Sequence, residues 1–233
     1  MKVIVIISSI FLCSFSGGVI KYYDKLFPED YSAALNFVTT NSSKFKTSAL
    51  KYKHDAVFST AIVFPEIMRY SVLHDFIETS ALELAYTNYG STVADFSIGR
   101  FQMKPSFIES VEREIKKSDS LSAIFSEIIF KTNLSEVEKR RTRLQRLQII
   151  NWQIIYLNAF IAICDVRFKD LDFESTTDKL LFYATAYNAG FYNKPDAIRI
   201  KATQPYFPYG PKYKGTQYVY GDVATYYYTK LNK

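Results

Sequence analysis

The chain has 233 residues, of which 48% are hydrophobic, 22% charged and 17% aromatic, with a formal net charge of +6. That composition excludes a disordered chain, a collagen-like repeat and a miniature disulfide scaffold, and the length allows one large core. Eight glycines and seven prolines also argue against a loop-heavy β-sandwich, and the modest positive balance suits an anionic surface such as a cell wall, or nucleic acid.

The first residues predict an export signal. Lys2 supplies a short positive start, Val3 to Phe15 are mostly apolar, and Ser14, Ser16, Gly17 and Gly18 are small. The apolar stretch is short for a membrane span, which needs about 20 residues, so removal of residues 1–18 and a periplasmic or cell-envelope location are expected. An N-terminal core strand is the structural alternative. Cys13 offers a lipid anchor, although Leu12 is bulky where such a motif wants a small residue. The remaining 19–233 reads as one domain.

Pro28-Glu29-Asp30 opens a helix to about Thr39, with Tyr31, Ala34, Leu35 and Val38 on one face. The very apolar segment Ala56 to Val63 is read as a helix that Pro65 interrupts or restarts. Helices are further predicted over Ser71 to Tyr89, ending at Gly90, then over Pro105 to Lys117 and Leu121 to Phe130. Ser135 and Glu138 form a Ser-x-x-Glu capping box. From there Leu144, Leu147, Ile150, Ile154, Leu157 and Ile161 recur at helical spacing, predicting one long central helix to about Val166. Asn151, Gln153, Asn158 and Asp165 within it favour a buried core helix over a membrane span. Its basic start (Lys139, Arg140, Arg141, Arg143 and Arg146) reads as a solvated face, with wall or nucleic-acid contact as the alternative. Ser175 or Thr176 caps a helix running to Gly190, Pro205 to Gly215 is a turn-rich loop, and Thr216 to Leu231 closes the chain as a helix. The expected fold is therefore mainly α, built around a long central helix.

Several chemistries find no support. His54 and His74 are too few for a histidine-rich metal site, no His-Glu-x-x-His pattern occurs, and neither a dinucleotide-binding nor a phosphate-binding glycine loop is present. Neither a cofactor nor a metal is expected. Without the signal a single cysteine remains, Cys164, which excludes an internal disulfide.

Three short segments stand apart from helix packing. They are Phe64-Pro65-Glu66-Ile67-Met68-Arg69-Tyr70-Ser71, Asp95 to Pro105, and Ala184-Thr185-Ala186-Tyr187-Asn188-Ala189-Gly190. Here the chain resembles the soluble-type lytic transglycosylases and, through them, the goose-type lysozymes. That family has a helix ending in a catalytic Glu, a Ser-containing loop into Gly-Leu-Met-Gln-x-x-Pro, and later Ala-Tyr-Asn-Ala-Gly. Gly99, Gln102 and Pro105 match the second element, and Ala186 to Gly190 match the third completely. The resemblance covers roughly Ala56 to Tyr228. It implies a lysozyme-like helical fold, peptidoglycan glycan strands as the partner rather than nucleic acid, and cleavage between N-acetylmuramic acid and N-acetylglucosamine.

By the same resemblance Glu66 is the catalytic residue, because it follows an apolar helix as the family's Glu does. Glu83 and Glu78 stand closer to Gly99, as in the family, and remain alternatives. Physically the reaction needs one carboxyl group kept protonated by apolar neighbours, and Val63, Phe64, Ile67 and Met68 supply them. Once deprotonated, the same Glu takes a proton from the sugar's own 6-hydroxyl and closes a 1,6-anhydro ring. A hydrolase would instead use a second carboxylate, for which Asp95 is the candidate. Ser97 and Gln102 are expected to orient the Glu or a sugar substituent, or else to cap their own loop. Tyr187 is expected to reach the Glu carboxyl and Asn188 to hold sugar or backbone. Tyr218 resembles a family tyrosine that lines the saccharide groove, a use for which aromatic faces are suited. A wall-binding or envelope-scaffold protein without activity is the reading from another class.

Overall fold

In a computed structural model, which describes residues 22–70 and 79–232, the chain is mainly helical, with twelve α-helices and no strand among the described residues. The expected export signal, Cys13, His74 and Glu78 lie outside them. The N-terminal helices are α1 (Tyr23–Leu26), α2 (Pro28–Thr40), α3 (Ser42–Tyr52), α4 (Ala56–Tyr70) and α5 (Thr79–Tyr89). They are followed by α6 (Pro105–Lys116), α7 (Asp119–Ile124), a 3₁₀ turn (Ser126–Ile128), α8 (Glu136–Gln148) and α9 (Ile150–Arg167). The C-terminal part holds α10 (Thr176–Ala189), α11 (Pro195–Lys201) and α12 (Tyr220–Leu231). Pro28, Pro105 and Pro195 each open a helix, where a missing N–H is harmless and the fixed φ is already helical. Side chains cap four others: Asp55 on α4, Ser118 on α7, Ser135 with its reciprocal Glu138 on α8, and Ser175 on α10.

Several elements depart from the sequence expectation. Helices α1, α3 and α11 were not expected, the helix expected to reach Phe130 stops at Ile124 and gives way to a 3₁₀ turn, and α12 begins at Tyr220 rather than Thr216. Two further departures shape the site. Helix α4 does not stop at Pro65 but runs through it to Tyr70. An interior proline deprives the Ala61 carbonyl of its donor and typically destabilises a helix by about 3 kcal/mol. Here α4 lies against α2, α3, α9, α10 and α12. Ala61, Ile62, Val63 and Phe64 are all fully buried, and Phe64 stacks on Tyr227 with ring centroids 4.0 Å apart. Burial at roughly 1.5–3 kcal/mol per large apolar side chain outweighs the proline. The neighbouring Ile62 carbonyl accepts a bond of 3.0 Å from the Tyr220 hydroxyl.

The expected single central helix is two helices, α8 and α9, bent by 102° at Ile149. Ile149 adopts an extended backbone (φ −105°, ψ 119°), and the side-chain amide of Gln153 donates to the Leu147 carbonyl at 2.8 Å. Helix α9 alone is the buried post, touching α3, α4, α6, α7, α8 and α10 and burying Cys164 completely. Among the described residues no single helix is long and apolar enough to cross a membrane.

The basic start of α8 is only partly a solvated face: Arg141 is exposed, Lys139, Arg140 and Arg146 are half-buried, and Arg143 is buried. Arg140 donates to the carbonyls of Thr87 and Asn88 at the end of α5. Arg143 is buried and pairs with Glu112 at 2.8 Å, and Arg146 donates to the carbonyls of Glu127 and Ile128 while lying over Trp152.

Candidate active site

The proline-containing helix decides where Glu66 goes. Because α4 is packed on all sides, a carboxyl on its last turns enters the protein rather than solvent, and Glu66 is only 5% exposed. It is therefore not the first-turn acid that a restart at Pro65 would produce. Glu66 lines a cavity of about 420 Å³ together with Ser97, Gln102, Tyr187 and Asn188. Burial pushes its pKa from 4.5 up to about 7, against the opposing charges of Arg69 and Lys104. Arg69 Nη1 stands 3.4 Å from Glu66 Oε2.

The opposite wall is the loop before α6. Ile98 and Met103 exchange backbone bonds of 3.0 and 3.1 Å, closing a tight turn with Gly99 at φ +70° and Gln102 at φ +49°. A side chain at position 99 would place its Cβ 2.2 Å from Gln153 Nε2 and 2.5 Å from the Leu147 carbonyl oxygen. The loop thus sits on the α8–α9 bend, and only glycine fits. Gln153 anchors it a second way by accepting from the Phe101 N–H at 2.9 Å. Gln102 donates to the Gly99 carbonyl at 2.9 Å, so its amide braces its own loop while lining the cavity.

Helix α10 delivers the third segment. Tyr187 is 8% exposed, and its hydroxyl donates to the Phe101 carbonyl at 2.7 Å rather than to the Glu66 carboxyl. Burial, with the Glu66 charge adding to it, raises the pKa of that hydroxyl well above its usual value, keeping it a donor. Tyr187 therefore ties α10 to the loop and reaches Glu66 only through space. Asn188 is exposed on the rim of the cavity. Beyond it α10 ends at Gly190, where Asn193 donates to the Ala189 and Gly190 carbonyls at 2.8 Å.

Tyr218 lies elsewhere. It precedes α12 instead of sitting on it, exchanges backbone bonds of 2.8 and 3.0 Å with Phe207, and turns its ring edge-on to Tyr23 and Phe27. It lines an adjoining cavity of about 320 Å³ with Tyr209 and Tyr213. The tyrosine of this region that feels the Glu66 charge is Tyr220, two residues on and fully buried behind α4.

Of the other carboxylates, Glu83 accepts from Gln148 at 3.0 Å and does not line the cavity. Asp95 does line it, but both its oxygens are taken by Ser106 at the start of α6, one by the N–H at 2.9 Å and the other by the hydroxyl at 2.7 Å. Arg69 and Lys104 are charged lining residues that sequence reasoning passed over, although both stand inside segments already singled out. Gln153 was visible only as a polar residue out of place in an apolar helix. Among the described residues no group of three or more His, Cys, Asp or Glu could hold a metal ion. Compared with protein-family models, with curated proteins and with solved structures, the chain matches none.

Proposed function

We propose that this chain is an exported peptidoglycan lytic transglycosylase that cleaves between N-acetylmuramic acid and N-acetylglucosamine, with Glu66 as general acid and then base. The observation that carries this reading is Glu66, one buried carboxyl whose pKa of about 7 leaves it substantially protonated at neutral pH, opening on a polar-lined cavity. A protonated Glu66 gives its proton to the glycosidic oxygen as the bond to the muramic C1 breaks. The resulting carboxylate takes the proton of the 6-hydroxyl, whose oxygen bonds C1 and closes the 1,6-anhydro ring. Proton and charge balance without water. The engagement of both Asp95 oxygens at the start of α6 supports a one-carboxylate mechanism over a hydrolytic one. Asp95 nevertheless lines the same cavity, which is the specific support for a hydrolase.

Mass spectrometry of purified peptidoglycan after digestion separates these readings. The expected products are anhydro-muropeptides, lighter by one water than hydrolysis products, with none formed by Glu66→Gln. Products ending only in reducing muramic acid would assign the chain to the hydrolases and bring Asp95 into the chemistry. No cleavage by the folded wild-type chain would leave a wall-binding or scaffold protein.

A further inference from the structure

Arg69 follows Glu66 by three residues on α4, so the two side chains leave the helix on one face. It lines both the Glu66 cavity and the tyrosine-lined cavity beside it, and no other described residue lines both. Its guanidinium is weakly committed at this boundary. The contact to Glu66 is 3.4 Å, where a good charged bond measures about 2.7–2.9 Å. The guanidinium carbon lies 5.5 Å from the centre of the Tyr209 ring, and Nε is buried with no hydrogen-bond partner among the described residues.

We infer, building on the proposed wall-cleaving activity, that Arg69 is the receptor for the lactyl carboxylate of an N-acetylmuramic acid ring and releases Glu66 when that carboxylate binds. A guanidinium offers a planar fork that a carboxylate fills with two parallel bonds. Such a pair is shorter and stronger than the existing contact to Glu66, so the exchange favours the ligand. Glu66 then loses one of the two charges that hold its pKa down, Lys104 at the start of α6 being the other. The other titratable groups around the site are Tyr187 and Tyr220, whose hydroxyls feel the Glu66 charge, Asp95 and Tyr192 on the Glu66 cavity, and Asp30, Tyr209, Tyr213 and Tyr218 on the tyrosine-lined cavity. Binding is therefore coupled to proton uptake by the residue that must donate a proton. In strands that still carry peptide the lactyl carboxyl is an uncharged amide, so this receptor favours rings stripped of their stems, while peptide-bearing rings bind without the ion pair. Arg69 acts here as a specificity-determining and positioning residue.

N-acetylmuramic acid and N-acetylglucosamine differ only in the lactyl group and serve as probes. NMR titration of the full chain follows their affinities, and the Glu66 side-chain carbon reports its protonation. The wild type should bind N-acetylmuramic acid about tenfold or more tighter than N-acetylglucosamine, the discrimination expected of a charged hydrogen-bonded pair. Saturation at pH 7.5 should shift the Glu66 signal toward the protonated form. Arg69→Gln should bind both sugars alike, and Arg69→Lys, which keeps the charge and loses the fork, should fall between. Equal affinities in the wild type, an unshifted Glu66 signal at saturation, or an undiminished preference in both variants would each overturn the assignment. If wall digestion succeeds while the preference ignores Arg69, this inference alone fails. A preference that follows Arg69 in a chain that cleaves neither intact nor stem-stripped peptidoglycan removes the enzyme reading and leaves the receptor standing.

Discussion

Replacing Glu66 by Gln keeps the side-chain volume and removes its charge, which isolates what the buried carboxylate costs the fold. In the unfolded chain the carboxyl titrates near 4.5, and in the folded one near 7. Below the lower value both states are protonated and the residue carries no charge penalty. Above the upper value the folded carboxylate is ionised among apolar neighbours while the unfolded one is hydrated. The wild-type fold therefore loses stability as pH rises from about 4.5 to about 7, by about 3 kcal/mol for a displacement of this size. Glu66→Gln lacks that loss. Its stability relative to wild type should rise by the same about 3 kcal/mol between pH 4 and pH 8, or about 6–12 °C in melting temperature for a domain of this length. Every other titrating group is common to the two chains and cancels in the difference. Thermal and urea unfolding of both at pH 4, 6 and 8 measure it. A difference that stays flat, or shrinks as pH rises, would show that Glu66 is not buried as a strained acid.

Two further substitutions test the loop that faces Glu66. Gly99→Ala combines a left-handed backbone with a Cβ pressed against the Leu147 carbonyl, which belongs to the main chain and cannot step aside; a loss of about 2–5 kcal/mol is expected from denaturant unfolding. Tyr187→Phe keeps the ring and deletes only the bond to the Phe101 carbonyl, so stability should fall by about 0.5–1.5 kcal/mol. Wall digestion by Tyr187→Phe should fall by more than that stability change explains, through a displaced loop, whereas full activity at the lower stability would confine Tyr187 to packing.

What the amino-acid sequence determined about this protein by itself is what short-range chemistry controls. The Ser135–Glu138 capping box, the opening prolines at 28 and 105, the cap at Ser175 and the end of α10 at Gly190 all act through groups within a few residues of one another. The mainly helical class follows from them and from the apolar spacing. The same locality explains why the three singled-out segments were visible, and the fold does bring Glu66, Ser97, Gln102, Tyr187 and Asn188 to one cavity. Tertiary structure alone decided the rest. Proline at 65 reads as a helix break until five neighbouring helices bury α4 around it. Continuous helical spacing from Leu144 to Ile161 gives no sign of the turn at Ile149, because the groups associated with that turn, Gly99 and Phe101, lie some fifty residues away in the chain. Tyr187 likewise gave its hydroxyl to the Phe101 carbonyl 86 positions back, and Tyr218 went to a bridge with Phe207 instead of a helix face. A donor selects its acceptor by proximity in the folded state, and sequence separation carries almost no information about that proximity.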